Sequence, residues 1–540
     1  MKRLLIVGSG ASGVHFALSV LKKGHDVIMV DVGQSKSTVP NPEANFGELK
    51  SSLNDPVDYY LGQNLEAVVY PGSDRKYYTK PYAFPPSKNH VFAKPNGFAF
   101  EATGFEPMFS FAQGGLAEAW TGGVYPLNDA ELAEFPFRYR DIEPGYAEVA
   151  GRIGIIGVDD DLARFFPLHA NLIEPLRLDE HSAQLVANYE KRKPFLHRTL
   201  KSYLGRSRVA TLSSDRDGRK ACSYRGRCLW GCPDGALYTP SITLAECQRY
   251  PNFSYLPDLL ASHFEFDAAG RIARLVAESL LDRKMHEFTA DEFILAAGTL
   301  SSSKIYMDSI WKATGRIVKL TGLMDNRQIL LPFVNVKRIG SKYNPKNYQY
   351  HQLAMGIESD KPEEYLHGQI TTLKTALLHP IIHNIPLDLR TATLLFRNAR
   401  ASLGVVNLNL HDRRRDTNYV TLEPDPASGR SKLVIHYVPE PGEETRIKEG
   451  IRKVKRVLWN LGCVVPPGMT HVRPMGSSVH YAGTIPMSAS PQSHTANAFC
   501  QSHKFENLYF VDGTTFPFLP AKNLTFTLMA NAVRIADCVF

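Results

Sequence analysis

Three of the seven cysteines in this 540-residue chain fall within eleven positions, in the stretch CSYRGRCLWGCPDGALY at 222–238. Cys222, Cys228 and Cys232 are spaced C-x5-C-x3-C. Thiols this close could ligate a metal or a cluster, form one disulfide beside a spare thiol, or fill a tight loop. The spacing lacks the paired C-x-x-C steps of a zinc knuckle and supplies only three ligands, so spacing alone leaves the choice open. Gly226, Gly231 and Gly235 interleave the thiols and would let the loop curl until the sulfurs converge. The other cysteines, Cys247, Cys463, Cys500 and Cys538, stand singly.

A second candidate lies at the start of the chain. Residues 3–7, RLLIV, read as a buried strand; GSGASG follows, then VHFALSVLKKG with helical spacing, then the strand-like HDVIMVDVG. In this strand–turn–helix–strand unit Gly8 permits the tight turn, Gly10 lets the backbone approach a pyrophosphate, and Gly13 lets the helix pack closely. The free N–H groups of the helix N-terminus then face phosphate. Asp31, at the end of the second strand, is placed to accept from a ribose hydroxyl. The unit predicts dinucleotide binding.

The elements that must position these groups are spread along the chain. DEFILAAG at 291–298 reads as another apolar strand closing on Ala297 and Gly298, with TLSSSKIY opening a helix. The segments before it, RIARLVAESL and HEFTA, read as a meander. ENLYFVDGTTFP gives a strand ending near Asp512 and Gly513, and LTFTLMANAVRIADCVF an amphipathic terminal helix. LGVVNLNLH, TNYVTLEPDP and SKLVIHYVP read as alternating strands of a second sheet, and RIKEGIRKVKRVLWNLG as a helix returning to the nucleotide domain. A nucleotide domain drawn from the beginning, middle and end of the chain is unlike a simple NAD module.

Composition is that of a globular protein, 44% hydrophobic and 21% charged, with a net charge of +8. The short run Arg413-Arg414-Arg415 reads as a solvated loop, and no nucleic-acid partner is expected. No stretch of 18 uncharged apolar residues exists, so no spanning helix is expected. MKRLLIVGSG runs directly into a strand and a glycine turn, which makes a cytoplasmic location the default and a periplasmic one conditional on co-export with a partner. The odd number and irregular spacing of cysteines argue against a disulfide-stapled fold. The stretch at 373–404 mixes apolar runs with arginines; Pro380 and Pro386 break it, so a lid or packed helices are expected rather than a membrane-binding helix.

Taken in order, GSGASG, GGLAEAWTGG (114–123), LAAGTLSSSKI (295–305), GLMDNRQ (322–328), HYAGTIPM (480–487) and the stretch 507–537 resemble the signatures of the glucose-methanol-choline (GMC) oxidoreductases. The resemblance runs over nearly the whole length. It implies an α/β fold: a Rossmann-like FAD-binding domain from 1–40, 200–325 and 460–540, and an antiparallel-sheet substrate domain from 326–459 with parts of 41–199. It also implies that Gly114 and Gly115 run close to the flavin, and that Asp512 and Gly513 approach its ribityl and pyrophosphate region. Related enzymes that attach FAD covalently use a histidine near this glycine pair; Leu116 to Ala119 stand here, so non-covalent FAD is expected.

Oxidising an alcohol by hydride transfer requires removal of the hydroxyl proton, and histidine is suited to that task. His480 in HYAGT is similar to the family's H-x-x-G-T histidine and is expected to act as the base. Asn523 in AKNLTFT matches the family's second polar residue, able to donate to and accept from the substrate oxygen. The cysteine loop is similar to that of bacterial FAD-dependent sugar and glucoside dehydrogenases, in which three cysteines hold a [3Fe-4S] cluster. The resemblance therefore implies a dehydrogenase of a sugar, glycoside or other polar secondary alcohol. Its electrons would leave through iron–sulfur to an external acceptor, with a small helper subunit and a cytochrome as partners. An oxygen-using oxidase and a catalytically silent flavoprotein are the alternatives. Asn407, Asn409, His411 and Gln369 are available to bind a polar substrate, but the sequence does not show which of them point inward.

Overall fold

A computed structural model of the chain describes residues 1–35, 39–45, 48–65, 85–373, 382, 385–425 and 429–540. Its nucleotide-side sheet has five parallel strands, in the order Leu508–Phe510, Glu292–Leu295, Arg3–Val7, Asp26–Val30 and Phe253–Leu256. Alternation along the first strand divides the core. Leu4 and Ile6 pack with the helices Ala11–Lys22, Tyr139–Ile153 and Thr525–Val539, whereas Leu5 and Val7 pack with the helix Thr299–Thr314. Burial on both faces is why RLLIV carries no polar alternation. The meander read from the sequence is present as the antiparallel strands Leu259–Phe266, Ile272–Ser279 and Met285–Phe288.

The largest sheet has seven strands. Its main path runs Cys463–Val464, Arg327–Asn335, Leu403–Leu410, Leu366–Thr372, Leu353–Ile357 and Ser202–Arg206, with His471–Val472 also paired to Arg327–Asn335. One face is apolar, with Ile329, Leu331, Val406, Leu408, Ile370 and Met355 packed beneath the helices Glu180–Leu200 and Glu443–Asn460. Gln369 pairs with Asn407 and His367 with Asn409, so the opposite face carries these four polar side chains.

Several elements depart from the sequence reading. Tyr419–Asp425 and Arg430–His436 do not join the large sheet. They pair with each other, with Leu320–Thr321 and with Ala99–Thr103, and bury Val420, Leu422, Leu433 and Ile435 in the core that also holds Leu5 and Val7. The helix Glu443–Asn460 returns to the large sheet rather than to the nucleotide sheet, because Ile447, Val454, Val457 and Leu458 find their apolar partners there. The arginine run lies at the surface, with Arg414 exposed, but its guanidinium groups are partnered rather than free in solvent. Arg413 pairs with Glu134, Glu363 and Glu364, Arg414 donates to the carbonyls of Gly483 and Thr321, and Arg415 pairs with Asp412. Within 373–404, residues 374–381 and 383–384 lie outside the described residues. The remainder includes the helix Leu389–Ala399, capped by Asp388. Among the described residues no helix is long and apolar enough to cross a membrane.

Candidate functional site

A cavity of about 560 Å³ follows the carboxyl ends of the nucleotide-side strands. Gly8, Gly10, Asp31, Gly115, Ala297, Gly298, Asp512 and Gly513 all line it. Gly8 has φ +102°, and a Cβ there would lie 2.7 Å from the Ala296 carbonyl oxygen. A Cβ on Gly13 would lie 2.2 Å from the Gly8 carbonyl oxygen, so this glycine serves the packing of turn on helix. Gly10 differs: its φ of −63° suits any residue, and a Cβ would meet only the Ala296 oxygen at 3.8 Å. No protein atom requires glycine there. The requirement follows if a group fills the cavity, and an extended FAD fits these residues.

Asp31 is buried, and burial pushes its carboxyl up to about 6 against the donors that surround it. These donors are the Ser9 backbone N–H, the Ser9 hydroxyl and the Tyr255 hydroxyl. The same Ser9 oxygen accepts the Gly114 N–H at 2.9 Å, tying the two glycine loops together. Gly114 itself does not line the cavity; a Cβ on it would strike the Glu118 side chain. Asp512 accepts from the Gly298 N–H at 3.0 Å, from the Ser302 hydroxyl and from the Thr514 N–H at 3.1 Å. It thereby pins the start of the helix Thr299–Thr314 to the cavity wall.

The two expected reacting residues, 43 positions apart, meet: Asn523 Nδ2 lies 3.3 Å from His480 Nε2. Gln369 Nε2 donates to Asn523 Oδ1, which fixes the amide with its N–H side toward the histidine. His480 Nε2 is then an acceptor, and Nδ1 carries the ring proton. Burial lowers the pKa of His480 to about 4, so the ring is neutral at ordinary pH. Asn523 does not cap the terminal helix, whose N-cap is Leu524.

Beside Asn523, Lys522 and Glu131 form a fully buried ion pair; Lys522 also donates to the carbonyls of Pro126 and Phe165. Burial lowers Lys522 to about 8 against the attraction of Glu131, and raises the Glu131 carboxyl. On the polar face of the large sheet, His367 Nε2, Asn407 Oδ1 and both amide atoms of Asn409 are buried without partners among the described residues, as is His351 Nε2 nearby. His351 and Gln369 both approach Gly123. His411 is committed elsewhere, 3.7 Å from Glu364 and 3.5 Å from Arg446. The sequence reading gave no role to His351, His367 or the Lys522–Glu131 pair; period-two alternation from Gln369 was the available signal for His367.

Cys222, Cys228 and Cys232 lie on one small apolar cluster with Tyr348, Tyr350, Val209 and Leu237. All are free thiols, which removes the disulfide reading. Backbone N–H groups point at two of the sulfurs, Gln349 to Cys228 at 3.4 Å and Leu237 to Cys232 at 3.5 Å. Burial raises all three thiols, with further mutual repulsion at Cys228. Among the described residues, no group of three or more His, Cys, Asp or Glu side chains is placed to hold a single metal ion. Gly226, Gly231 and Gly235 have positive φ, as the curled loop requires. Arg227, between the first two thiols in sequence, is buried and donates to the carbonyls of Pro40, Asn41 and Ala44.

Comparison with known proteins agrees with the fold. The GMC oxidoreductase family model matches residues 414–532. The 6'''-hydroxyparomomycin C oxidase of Streptomyces lividus is 23% identical, the alignment covering 99% of this chain and 90% of that protein. The fructose dehydrogenase large subunit of Gluconobacter japonicus is 21% identical, with 99% and 97% covered. Among solved structures, pyridoxine 4-oxidase from Mesorbium loti superposes with a TM-score of 0.61 at 14% identity, covering 100% of this chain and 99% of that one. The chain thus matches the GMC oxidoreductases over residues 414–532, and the relatives it resembles along its whole length are oxidases and dehydrogenases. It is accordingly a FAD-dependent oxidoreductase acting on CH–OH groups.

Proposed function

We propose that this enzyme is a dehydrogenase of a sugar, glycoside or other polar secondary alcohol, with His480 taking the hydroxyl proton and Asn523 orienting the hydroxyl oxygen. The observation that carries the reading is the hydrogen-bonded chain Gln369–Asn523–His480, which presents a neutral ring nitrogen as an acceptor. FAD, held non-covalently, would supply the hydride acceptor, cradled by Gly8, Gly10, Gly115, Ala297, Gly298, Asp512 and Gly513. A substrate hydroxyl reaching His480 Nε2 would take the place of the Asn523 N–H, leaving that amide free to bond the same oxygen. Gln369 keeps the amide from turning over. The polar face with His367, Asn407 and Asn409 suits a substrate rich in hydroxyls, since unpaired buried donors and acceptors favour a ligand that satisfies them. The relatives' names, an oxidase of 6'''-hydroxyparomomycin C and a dehydrogenase of fructose, agree with a polar, hydroxyl-bearing substrate.

The test is an anaerobic screen of hexoses, methyl glycosides, polyols and benzyl alcohol for flavin bleaching, repeated in air with peroxide detection. Bleaching by a sugar or glycoside without peroxide supports a dehydrogenase; stoichiometric peroxide makes the enzyme an oxidase. No bleaching by any alcohol overturns the catalytic reading.

We further propose Cys222, Cys228 and Cys232 as ligands of a [3Fe-4S] cluster, which would supply one-electron exchange with an external partner such as a cytochrome beside a helper subunit. The N–H groups aimed at Cys228 and Cys232 support it, since such donors stabilise thiolate and sulfide. The fructose dehydrogenase relative, named as a large subunit, agrees with a partner. About three irons per chain after anaerobic purification is the expected result. Fully active, flavin-loaded, iron-free protein would leave the triplet structural.

A further inference from the structure

The residue immediately before His480 has a backbone that its side chain disfavours. Val479 is held at φ +65°, the left-handed region, where a β-branched residue is an outlier. Such a conformation is strained and persists only where the surroundings impose it. Val479 also lines the flavin cavity, so the turn sits where the chain passes from the cavity wall to the reacting histidine.

Four groups of the loop are bound from one side by a neighbouring segment. The fully buried Asp325 carboxylate accepts the Gly476 N–H at 2.7 Å on Oδ2; on Oδ1 it accepts the Ser478 hydroxyl and the His480 backbone N–H, the latter at 3.2 Å. The residue before it, Met324, exchanges backbone hydrogen bonds with Ala482 in both directions, at 3.0 and 3.2 Å. Gly483 is held from the other side by the Arg414 guanidinium at 2.8 Å. Asp325 is itself fixed: its backbone N–H donates to Asp412, which is paired with Arg415 and accepts from the Tyr437 hydroxyl. Bonds at residues 476, 478 and 480 bracket position 479, and a carboxylate is suited to all three because it accepts only.

We propose that Asp325 is a positioning residue for proton transfer: by gripping Gly476, Ser478 and His480 it imposes the left-handed turn at Val479 and so aims the His480 ring at Asn523 and the flavin cavity. This rests on the reading of His480 as the base. A buried aspartate that merely closed a loop would stabilise the fold without controlling the ring. The strained residue between its hydrogen-bond partners marks the difference.

The experiment uses FAD-loaded enzyme and three variants, Asp325→Asn, Val479→Gly and the double substitution, with His480→Ala alongside. In Asp325→Asn the amide N–H₂ cannot accept from the Gly476 N–H, and the grip loosens. FAD should stay bound. Anaerobic flavin reduction, by the alcohol that bleaches the wild-type enzyme fastest, should slow by roughly 10- to 100-fold, the scale of a misplaced reacting group. The substrate concentration for half-saturation should change little. Glycine enters the left-handed region without a side-chain penalty. Val479→Gly in the Asp325→Asn background should therefore restore several-fold of the lost rate. Histidine ¹⁵N spectra supply a readout apart from turnover: the His480 signal, assigned by its loss in His480→Ala, should show Nε2 unprotonated in the wild type and a mixture of tautomers in Asp325→Asn.

A flavin-loaded Asp325→Asn enzyme with wild-type reduction and an unchanged His480 signal would overturn the proposal, as would a double variant slower than Asp325→Asn alone. Should Asp325→Asn fail to fold, Ser478→Ala tests the same grip by removing one of its donors; an unmoved His480 signal there overturns it. Wild-type reduction by His480→Ala would instead overturn the base assignment. A slow His480→Ala enzyme beside a wild-type Asp325→Asn enzyme would overturn the grip alone.

Discussion

The glycine-lined cavity and the His480–Asn523 pair, whose chain neighbours Val479, Tyr481 and Leu524 line that cavity, are built on different principles. At the nucleotide end the determinants are backbone: a positive φ at Gly8, close packing at Gly13 and empty space at Gly10, all within six residues, with Asp31 closing the unit 23 positions after Gly8. At the proposed reacting end, beside the cavity, they are side chains from four separated segments, with Gln369 from a sheet, Asn523 before a helix, His480 on a loop with a left-handed Val479 and Asp325 bonded to that loop. The nucleotide end should therefore fail by exclusion, and the reacting end by misalignment while flavin remains bound.

The largest contrast comes from a single side chain at each end. Gly10→Val has ordinary backbone angles available and meets no protein atom closely, so the chain should fold. The added side chain would occupy the cavity, and the purified protein should carry essentially no FAD by absorbance while its circular dichroism stays that of a folded chain, with a melting temperature lowered only by the lost cofactor binding. Stoichiometric FAD in this variant would refute the cradle.

Beneath the reacting end, Lys522→Met leaves Glu131 buried without its cation. Breaking a buried pair on one side costs about 3–5 kcal/mol, to be read as a lowered denaturation midpoint. The double change Lys522→Met with Glu131→Leu should recover much of that loss, because no charge then remains buried. Equal destabilisation of single and double variants would show that the carbonyl contacts of Lys522, not the ion pair, dominate.

His480→Ala should keep yellow, bound FAD while substrate-driven flavin reduction falls by roughly 10² or more, the scale of a lost general base. FAD loss in this variant would blur the division between the two ends; near-normal reduction would remove the base from His480.

The smallest effect is in pH. Burial lowers His480, and likewise His351 and His169, to about 4 from an ordinary 6.5. Between these values the unfolded chain binds protons that these three folded rings refuse, so their contribution to stability should fall as pH drops from about 6.5 to 4, against the opposite contribution of buried Asp31 and Asp325, whose carboxyls are pushed up to about 6. His480→Gln should flatten part of that slope. Flavin reduction in the free enzyme should retain its base down to about pH 4, and an acid limb near 6.5 would mean that the ring is more solvated than the structure shows.

The nucleotide end was legible because its requirements are local. A glycine that must take positive φ, or leave room, is visible one residue at a time, and the flanking apolar runs declare the strands. The pairing of His480 with Asn523 was anticipated only through resemblance, since nothing in residues 478–484 states what lies 3.3 Å away. The cysteine triplet was legible as a constellation, and its curled backbone follows from its glycines. The anchoring of Arg227 depended on carbonyls nearly two hundred positions distant.

What the sequence alone determined, then, is the strand–turn–helix unit, the order of segments and the residue types at the reacting end, because short-range sterics and periodicity act between near neighbours. Only the tertiary structure decided that Gln369, Asn407 and Asn409 share a face while His411 is drawn to Glu364, and that Tyr419–Asp425 and Arg430–His436 stay out of the large sheet. It alone brought Asp325 under a left-handed Val479. These outcomes turn on buried polar groups finding partners across long sequence separations, and a hydrogen bond fixed by packing has no signature in either residue by itself.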